Sequence, residues 1–311
     1  MTTRVSVIVP TLDGGETLRR LLDAVHAQDG GYEIDVIAVD SGSTDGSLDA
    51  LRRHGAAIVP IPPGDFNHGL SRNAGLAKAR GEFAVLIVQD AVPANSRWLS
   101  ELVRPLETDP SIAGTFARQQ PWPEASRVTA HYLADWAAAQ ALPRTVGPLT
   151  RASLASMSPG ERHRACAFDN VCACVRTSVW RQHPFRRTAI AEDLDWALEV
   201  LLAGHRLSYV PASIVWHSHE RPVRYELQRT YLVHQRLQLL FGLSTIPTVG
   251  ALFRAVGATI PLHVRLAASE PRGRTRAFVR AAGLALAMPL GQYLGARSAR
   301  NGRELLRTRG V

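Results

Sequence analysis

The chain has 311 residues, of which 46% are hydrophobic and 20% charged, and a formal net charge of +9. That length and apolar content allow a substantial core and exclude a largely disordered chain. The charge is uneven: residues 1–220 carry 21 basic and 24 acidic side chains, whereas residues 221–311 carry 15 arginines and three glutamates.

Met1 to Arg4 leads directly into the short run Val5–Val9. No longer apolar region or cleavage site follows, so no signal peptide is read and a cytoplasmic location is expected. Apolar, β-branched runs at Val5–Val9, Ile34–Val39 and Ala57–Ile61 alternate with helical patterns from about Glu16, after Asp45 and after Gly69. Such alternation predicts βαβ units and a parallel sheet. Phe83–Val88 is the fourth predicted strand, unbroken in apolar residues as a strand buried on both faces should be. It stops abruptly at Gln89 and Asp90. An acid at the carboxyl end of such a strand either faces a ligand or metal or turns the chain.

Two nucleotide-binding signatures are excluded. No two glycines are separated by a single residue, so the GxGxxG fingerprint is absent. Gly64–Ser71 has the glycine spacing of a phosphate-binding loop, but Leu70 stands where its lysine must be.

From about Gln119 the alternation weakens. QQPWPEAS is read as a loop before a helical stretch containing His131, Tyr132 and Trp136. A strand over Asp169–Val175, a helix from about Asp193 to Ala203, and short strands around Leu207–Val210 and Ile214–Trp216 follow. Cys166, Cys172 and Cys174 are expected to be reduced and buried, because their C-x5-C-x-C spacing lacks the paired CxxC of structural zinc sites.

In the basic tail, the uncharged runs Leu237–Phe253 and Ala281–Ala296 are short for a membrane span and contain Pro247 and Pro289. They are read as interfacial, with Arg254, Arg265, Arg272, Arg274, Arg276 and Arg280 meeting anionic headgroups. A solvated helical subdomain with a basic face is the alternative. Nucleic acid is not an expected partner, since the arginines alternate with apolar windows and not with exposed aromatics.

Five motifs fall at strand ends or beside them: VPTLDGG (9–15), AVDSGSTDG (38–46), FNHGLSRNAG (66–75), VQDAVP (88–93) and AEDLDWALEVLLAGHRLSYVPASIVWHSH (191–219). In this order they resemble the family 2 inverting glycosyltransferases. FNHGLSRN, QDAVP and RQQPWPEAS are most similar to rhamnosyltransferases of cell-surface polysaccharide assembly. The resemblance covers about the first 240 residues. It implies an α/β GT-A fold, a mixed, mainly parallel central sheet flanked by helices, with an α-helical C-terminal extension. It also implies a division into a GT-A domain over residues 1–220 and a basic, apolar helical tail over 221–311. Residues 1–118 would form the nucleotide-sugar half of that domain and 119–220 the acceptor half.

The resemblance implies a nucleotide-sugar donor, dTDP-rhamnose by the subfamily likeness, and a glycan or polyprenyl-linked glycan acceptor. The protein would then work peripherally on the cytoplasmic face of a membrane. Thr11 and Asp13 would line the nucleotide pocket, or merely cap and turn the chain. Asp40 would accept from the imide N–H of the base. Arg72 would grip the base or diphosphate, or face solvent; Asn73 and His68 are weaker candidates. Asp90 stands at the second acid of the DxD metal motif, with Val88 in place of the first. His217 would be a further ligand to Mg2+ or Mn2+, with His219 its competitor. Asp193 is the implied general base, Glu192 a candidate contact to acceptor or sugar, and Trp196 is either a wall for sugar or acceptor or a core residue. Two other functions are open to such a chain: transfer directly onto a polyprenyl phosphate, and catalytically silent binding of a nucleotide sugar or glycan.

Overall fold

The runs Val5–Val9 and Phe83–Ile87 become strands buried on both faces, where branched side chains pack well and backbone groups find ladder partners on both sides, whereas Ala57–Pro60 forms a partly exposed edge strand. The computed structural model describes residues 2–271 and 274–306. Arg272 therefore lies outside the described residues, as does the Arg274 side chain.

The first half runs β1 (Arg4–Thr11), α1 (Gly15–His26), β2 (Glu33–Asp40), α2 (Ser47–Arg53), β3 (Ala57–Pro60), α3 (His68–Leu76), β4 (Phe83–Ile87), β5 (Val92–Pro93) and α4 (Trp98–Thr108). The second contains β6 (Ile112–Gln120), α5 (Arg127–Ala134), β7 (Arg144–Val146), α6 (Arg151–Ser156), α7 (Pro159–Ala165), β8 (Cys172–Arg176), α8 (Thr177–Gln182), α9 (Glu192–Leu202) and β9 (Arg206–Trp216). Three long helices follow: α10 (Val223–Phe241), α11 (Val249–Ala268) and α12 (Arg274–Asn301).

The nine strands among the described residues form one sheet in the order β3-β2-β1-β4-β8-β6-β9-β5, with β7 also on β9. β1, β2, β3, β4, β6 and β9 share one direction, and β5, β7 and β8 oppose it. The carboxyl ends of the first group therefore collect at one edge of the sheet, together with the start of β8. One face packs on α1, α2 and α4 through Leu18, Leu51, Trp98 and Leu102. The other packs on α3 and α9 through Leu76, Trp196 and Leu201. The sheet is thus mixed and mainly parallel, with helices on both sides, as the resemblance implied.

Two sequence readings change. QQPWPEAS does not begin as a loop, because β6 extends to Gln120 through pairing of Gln119 and Gln120 with Val215 and Trp216. The two short strands near residues 207–216 are one strand, β9, whose register on β6 shifts between Val210 and Ile214. The three cysteines are free and buried.

In the C-terminal region α10 ends at Gly242, whose φ of 72° is the left-handed conformation that closes helices. α12 lies directly on α10. A Cβ at Gly295 would stand 2.1 Å from the Tyr231 carbonyl oxygen, so only glycine allows this approach. No helix among the described residues is long and apolar enough to cross a membrane.

Candidate active site

On the β1–β2 side of the sheet edge, Thr11 and Asp40 are register partners. The Asp40 carboxylate accepts from the backbone N–H groups of Gly42 (2.9 Å) and Ser43 (3.1 Å), which shapes the turn after β2. Asp13 has a φ of 45°, and its carboxylate accepts from the Thr44 N–H at 2.7 Å. Gln89 holds the same loop from β4, donating to the Leu12 carbonyl at 2.8 Å and accepting from the Leu12 N–H at 2.9 Å. Thr11 is buried and its hydroxyl donates to Val9 O, which matches a local structural role. Asp13 is exposed at the loop surface and Asp40 is nearly buried.

Asp90, His217 and His219 come together across the sheet. The pairing of β5 with β9, Val92 opposite Trp216, draws the loop after β4 onto the segment after β9. His217 Nε2 lies 3.7 Å from Asp90 Oδ1, and His219 Nε2 lies 3.4 Å from Asp90 Oδ2. One ligand atom from each residue lies within 4.8 Å of the others. Val88 offers no donor atom, so the converging donors are one carboxylate and two imidazoles. A carboxylate with two imidazoles suits Mn2+ better than Mg2+, which favours all-oxygen shells.

Buried partners fix the orientation of His217. Gln119 Nε2 donates to Asp169 Oδ2 at 2.7 Å, so Gln119 Oε1 faces His217 Nδ1 at 2.8 Å. Nδ1 must then carry the proton, leaving the Nε2 lone pair toward Asp90. Burial pushes the His217 pKa down to about 4, which keeps the ring neutral and able to ligate. The Trp136 indole N–H also donates to Asp169 Oδ2, at 2.7 Å, and Val171 N–H to its Oδ1 at 2.8 Å.

On the other face of this edge, α9 opens with Glu192, Asp193 and Asp195. Glu192 and Arg72 form a buried ion pair at 2.9 Å, and the same guanidinium donates to the carbonyls of His68 and Asn170. Burial opposes ionisation of Glu192, but the Arg72 and His68 charges outweigh it and hold its pKa below the ordinary value. Asp193 behaves oppositely. Burial, then the charges of Glu192 and Asp169, push its carboxyl well above the usual range, which makes it a stronger proton acceptor once ionised. It stays half-buried, and Asn170 Oδ1 beside Glu192 is buried without a hydrogen-bond partner among the described residues.

Several site residues therefore differ in surroundings from their expected contacts. Arg72 is 3% exposed and bound by its own chain, so it does not present a free guanidinium to solvent. Glu192 is buried with it. Trp196 is a core residue: it packs between Phe168 and Phe185, and its indole N–H donates to His183 O at 2.8 Å, leaving no face for a sugar. Asn73 anchors the loop before α9, accepting from the Trp180 indole and Phe185 N–H and donating to Phe185 O. His68 opens α3 against Phe66. The Gly69 spacing that mimicked a phosphate loop has a packing cause, since a Cβ there would meet Arg186 O at 2.4 Å. Sequence reasoning missed Gln119, Asp169 and Asn170. The signal for Gln119 was a polar residue at the end of an apolar strand, and for Asp169 and Asn170 a polar pair just before one.

The Glycosyl transferase family 2 model matches residues 6–160. The chain is 28% identical over 233 residues to the O-antigen chain rhamnosyltransferase RfbN of Salmonella typhimurium, covering 73% of this chain and 70% of that one. The mannosyltransferase PcManGT from Pyrobaculum calidifontis, solved with GDP-Man and Mn2+, superposes with a TM-score of 0.63 at 18% identity, over 98% of this chain and 89% of that one. Glucosyl-3-phosphoglycerate synthase from Mycobacterium tuberculosis, solved with Mn2+, UDP and glucosyl-3-phosphoglycerate, gives a TM-score of 0.52 at 18% identity, over 80% of this chain and 82% of that one. The chain carries a glycosyltransferase family 2 domain, and its fold is GT-A.

Proposed function

We propose that the protein transfers a deoxyhexose, rhamnose from dTDP-rhamnose, to a hydroxyl of a glycan or lipid-linked glycan with inversion at the anomeric carbon. The observation that carries this reading is the convergence of Asp90, His217 and His219 at the carboxyl edge of the sheet. The likeness to O-antigen chain rhamnosyltransferases supports the choice of sugar. The two solved relatives bind Mn2+ beside a nucleotide or nucleotide sugar, which supports a divalent cation here.

Asp40 and Asp13 shape the two loops that would receive the nucleoside, with the remaining Asp40 acceptor capacity available to an imide N–H. Asp90, His217 and His219 would hold the cation. When bound, the cation supplies positive charge to the departing diphosphate. Asp193 takes the proton of the acceptor hydroxyl as that oxygen attacks from the side opposite the leaving group. The raised proton affinity of its carboxyl suits this step. Arg72 acts from behind, fixing Glu192 and Asn170 at the start of α9 and thereby the direction of Asp193. The basic C-terminal region faces an anionic membrane on its cytoplasmic side, where a lipid-linked acceptor would be met.

The test is a panel of nucleotide sugars assayed with lipid-linked glycan acceptors, with and without Mn2+, for the wild type and Asp193→Asn. Loss of a general base predicts transfer lowered by about 10²–10⁴-fold with donor binding retained. Near wild-type transfer by Asp193→Asn removes the base assignment. Donor binding with no turnover on any acceptor favours a silent binding protein instead.

A further inference from the structure

α11 and α12 leave apolar residues in solvent in a regular pattern. On α11, Val249, Phe253, Ile260 and Val264 are exposed, and at 3.6 residues per turn they fall within about 60° of arc. On α12, Val279, Leu286 and Leu290 form a second exposed stripe within about 40°. Phe253 and Val279 are 73% and 72% exposed, so these are not core residues seen at their edges. Exposed apolar surface so organised marks an interaction face.

Between the stripes lies a cavity of about 300 Å³, walled by Ile260 and Val264 of α11 and by Phe278, Ala282, Ala285 and Leu286 of α12. It is roughly twice the size of a 150 Å³ apolar cavity that takes up benzene. The small side chains of Ala282 and Ala285 open the space between the helices. His263 borders it but offers no polar group to a ligand: its Nδ1 is 2.8 Å from Ala281 O and its Nε2 is 2.7 Å from the Tyr132 hydroxyl. A wall without free donors or acceptors selects a hydrocarbon and rejects sugars and phosphates.

The surroundings point to where that hydrocarbon comes from. Arg254, Arg265 and Arg276 are exposed on the same two helices, and Glu270 is the only acid between residues 249 and 301. An apolar groove beside one-signed positive charge is complementary to an anionic lipid surface. We propose that the groove between α11 and α12 binds one hydrocarbon chain, prenyl or acyl, of an anionic membrane's lipids, while these arginines meet the headgroups. The proposal rests on the membrane-facing reading of the C-terminal region. It goes further in assigning a discrete chain site and not surface adsorption alone.

Ala282 and Leu286 are exposed wall residues, so Ala282→Phe fills the groove and Leu286→Glu places a charge in it without cutting the core. The full-length chain is titrated with the neutral apolar dye Nile red, without vesicles, and the dye is displaced with farnesol. Both variants are expected to lose affinity for the dye by about tenfold or more, a difference of about 1.4 kcal/mol. Both should also co-sediment less with phosphatidylglycerol vesicles, yet keep wild-type turnover on a water-soluble acceptor. The triple Arg254→Gln, Arg265→Gln, Arg276→Gln variant should keep dye binding and lose vesicle binding. Dye affinity unchanged in both groove variants, or dye that farnesol does not displace, overturns the proposal. So does vesicle binding that depends on the arginines and ignores both groove variants. Dye binding is read without donor or acceptor, so a failure of the transferase reading leaves this result intact.

Discussion

Two charged clusters lie at the same edge of the sheet and use their charge differently. Arg72, Glu192 and Asn170 are almost fully buried and bind one another. Asp90, His217 and His219 are partly open, and their facing atoms stand 3.4–3.7 Å apart, beyond ordinary hydrogen-bond length. The first cluster is closed off from solvent, with Arg72 Nε and Asn170 Oδ1 left without a partner among the described residues, and it can only position its neighbours. The second keeps lone pairs that converge on one point, as a ligand site requires. Residue type alone does not separate positioning from binding; solvent access to converging lone pairs does.

The largest effect that would break this contrast belongs to the buried pair. Arg72→Met leaves Glu192 buried without its countercharge, so urea denaturation should show a loss of about 3–5 kcal/mol. Arg72→Met with Glu192→Leu should recover most of it, because both charges are then removed together. If Arg72→Met were as stable as wild type but bound nucleoside diphosphate poorly, Arg72 would belong to the binding cluster after all.

An intermediate effect sharpens the other side. Gln119→Ala removes the acceptor that sets the His217 tautomer while sparing all three donor residues. Mn2+ affinity, followed by electron paramagnetic resonance, should fall about 10–100-fold. An unchanged affinity would mean that His217 does not depend on Gln119 and Asp169.

The smallest effect on stability concerns Asp193, which stands next to the buried pair. Its folded pKa is raised above 3.8, so it binds protons more tightly in the native state than in the unfolded chain. Its contribution to stability is full below the unfolded pKa and is lost as pH rises through the folded one. Asp193→Asn should therefore melt at or above the wild-type temperature near neutral pH, despite losing transfer. Wild-type transfer should rise with pH as the same carboxyl ionises. A variant that melts lower at neutral pH, or a flat acid limb of the rate profile, contradicts this account.

Much of the site was legible in strand-end residues. Asp40, Asp90 and His217 fall beside the ends of apolar runs, and β2, β4 and β9 carry all three to one edge because those strands share a direction. The acidic opening of α9 was equally readable. The burial of Arg72, and which of the two readings of Trp196 holds, were not, since a motif position says nothing about which side of a helix the core will cover. Gln119 was hidden because a polar pair after an apolar strand reads as a loop, while pairing with Val215 and Trp216 continues the strand.

The sequence by itself determined the alternation of strands and helices, the motif order and the one-sided charge of the tail, because local period and composition are properties of short windows. Tertiary structure alone decided that β5 would pair with β9 and bring His219 as well as His217 to Asp90. It also decided that Gln119 and Asp169 would fix the imidazole, and that α11 and α12 would part around an apolar groove. Asp90 and His217 are separated by more than a hundred residues, and only the closure of a whole sheet sets which side chains meet across that distance.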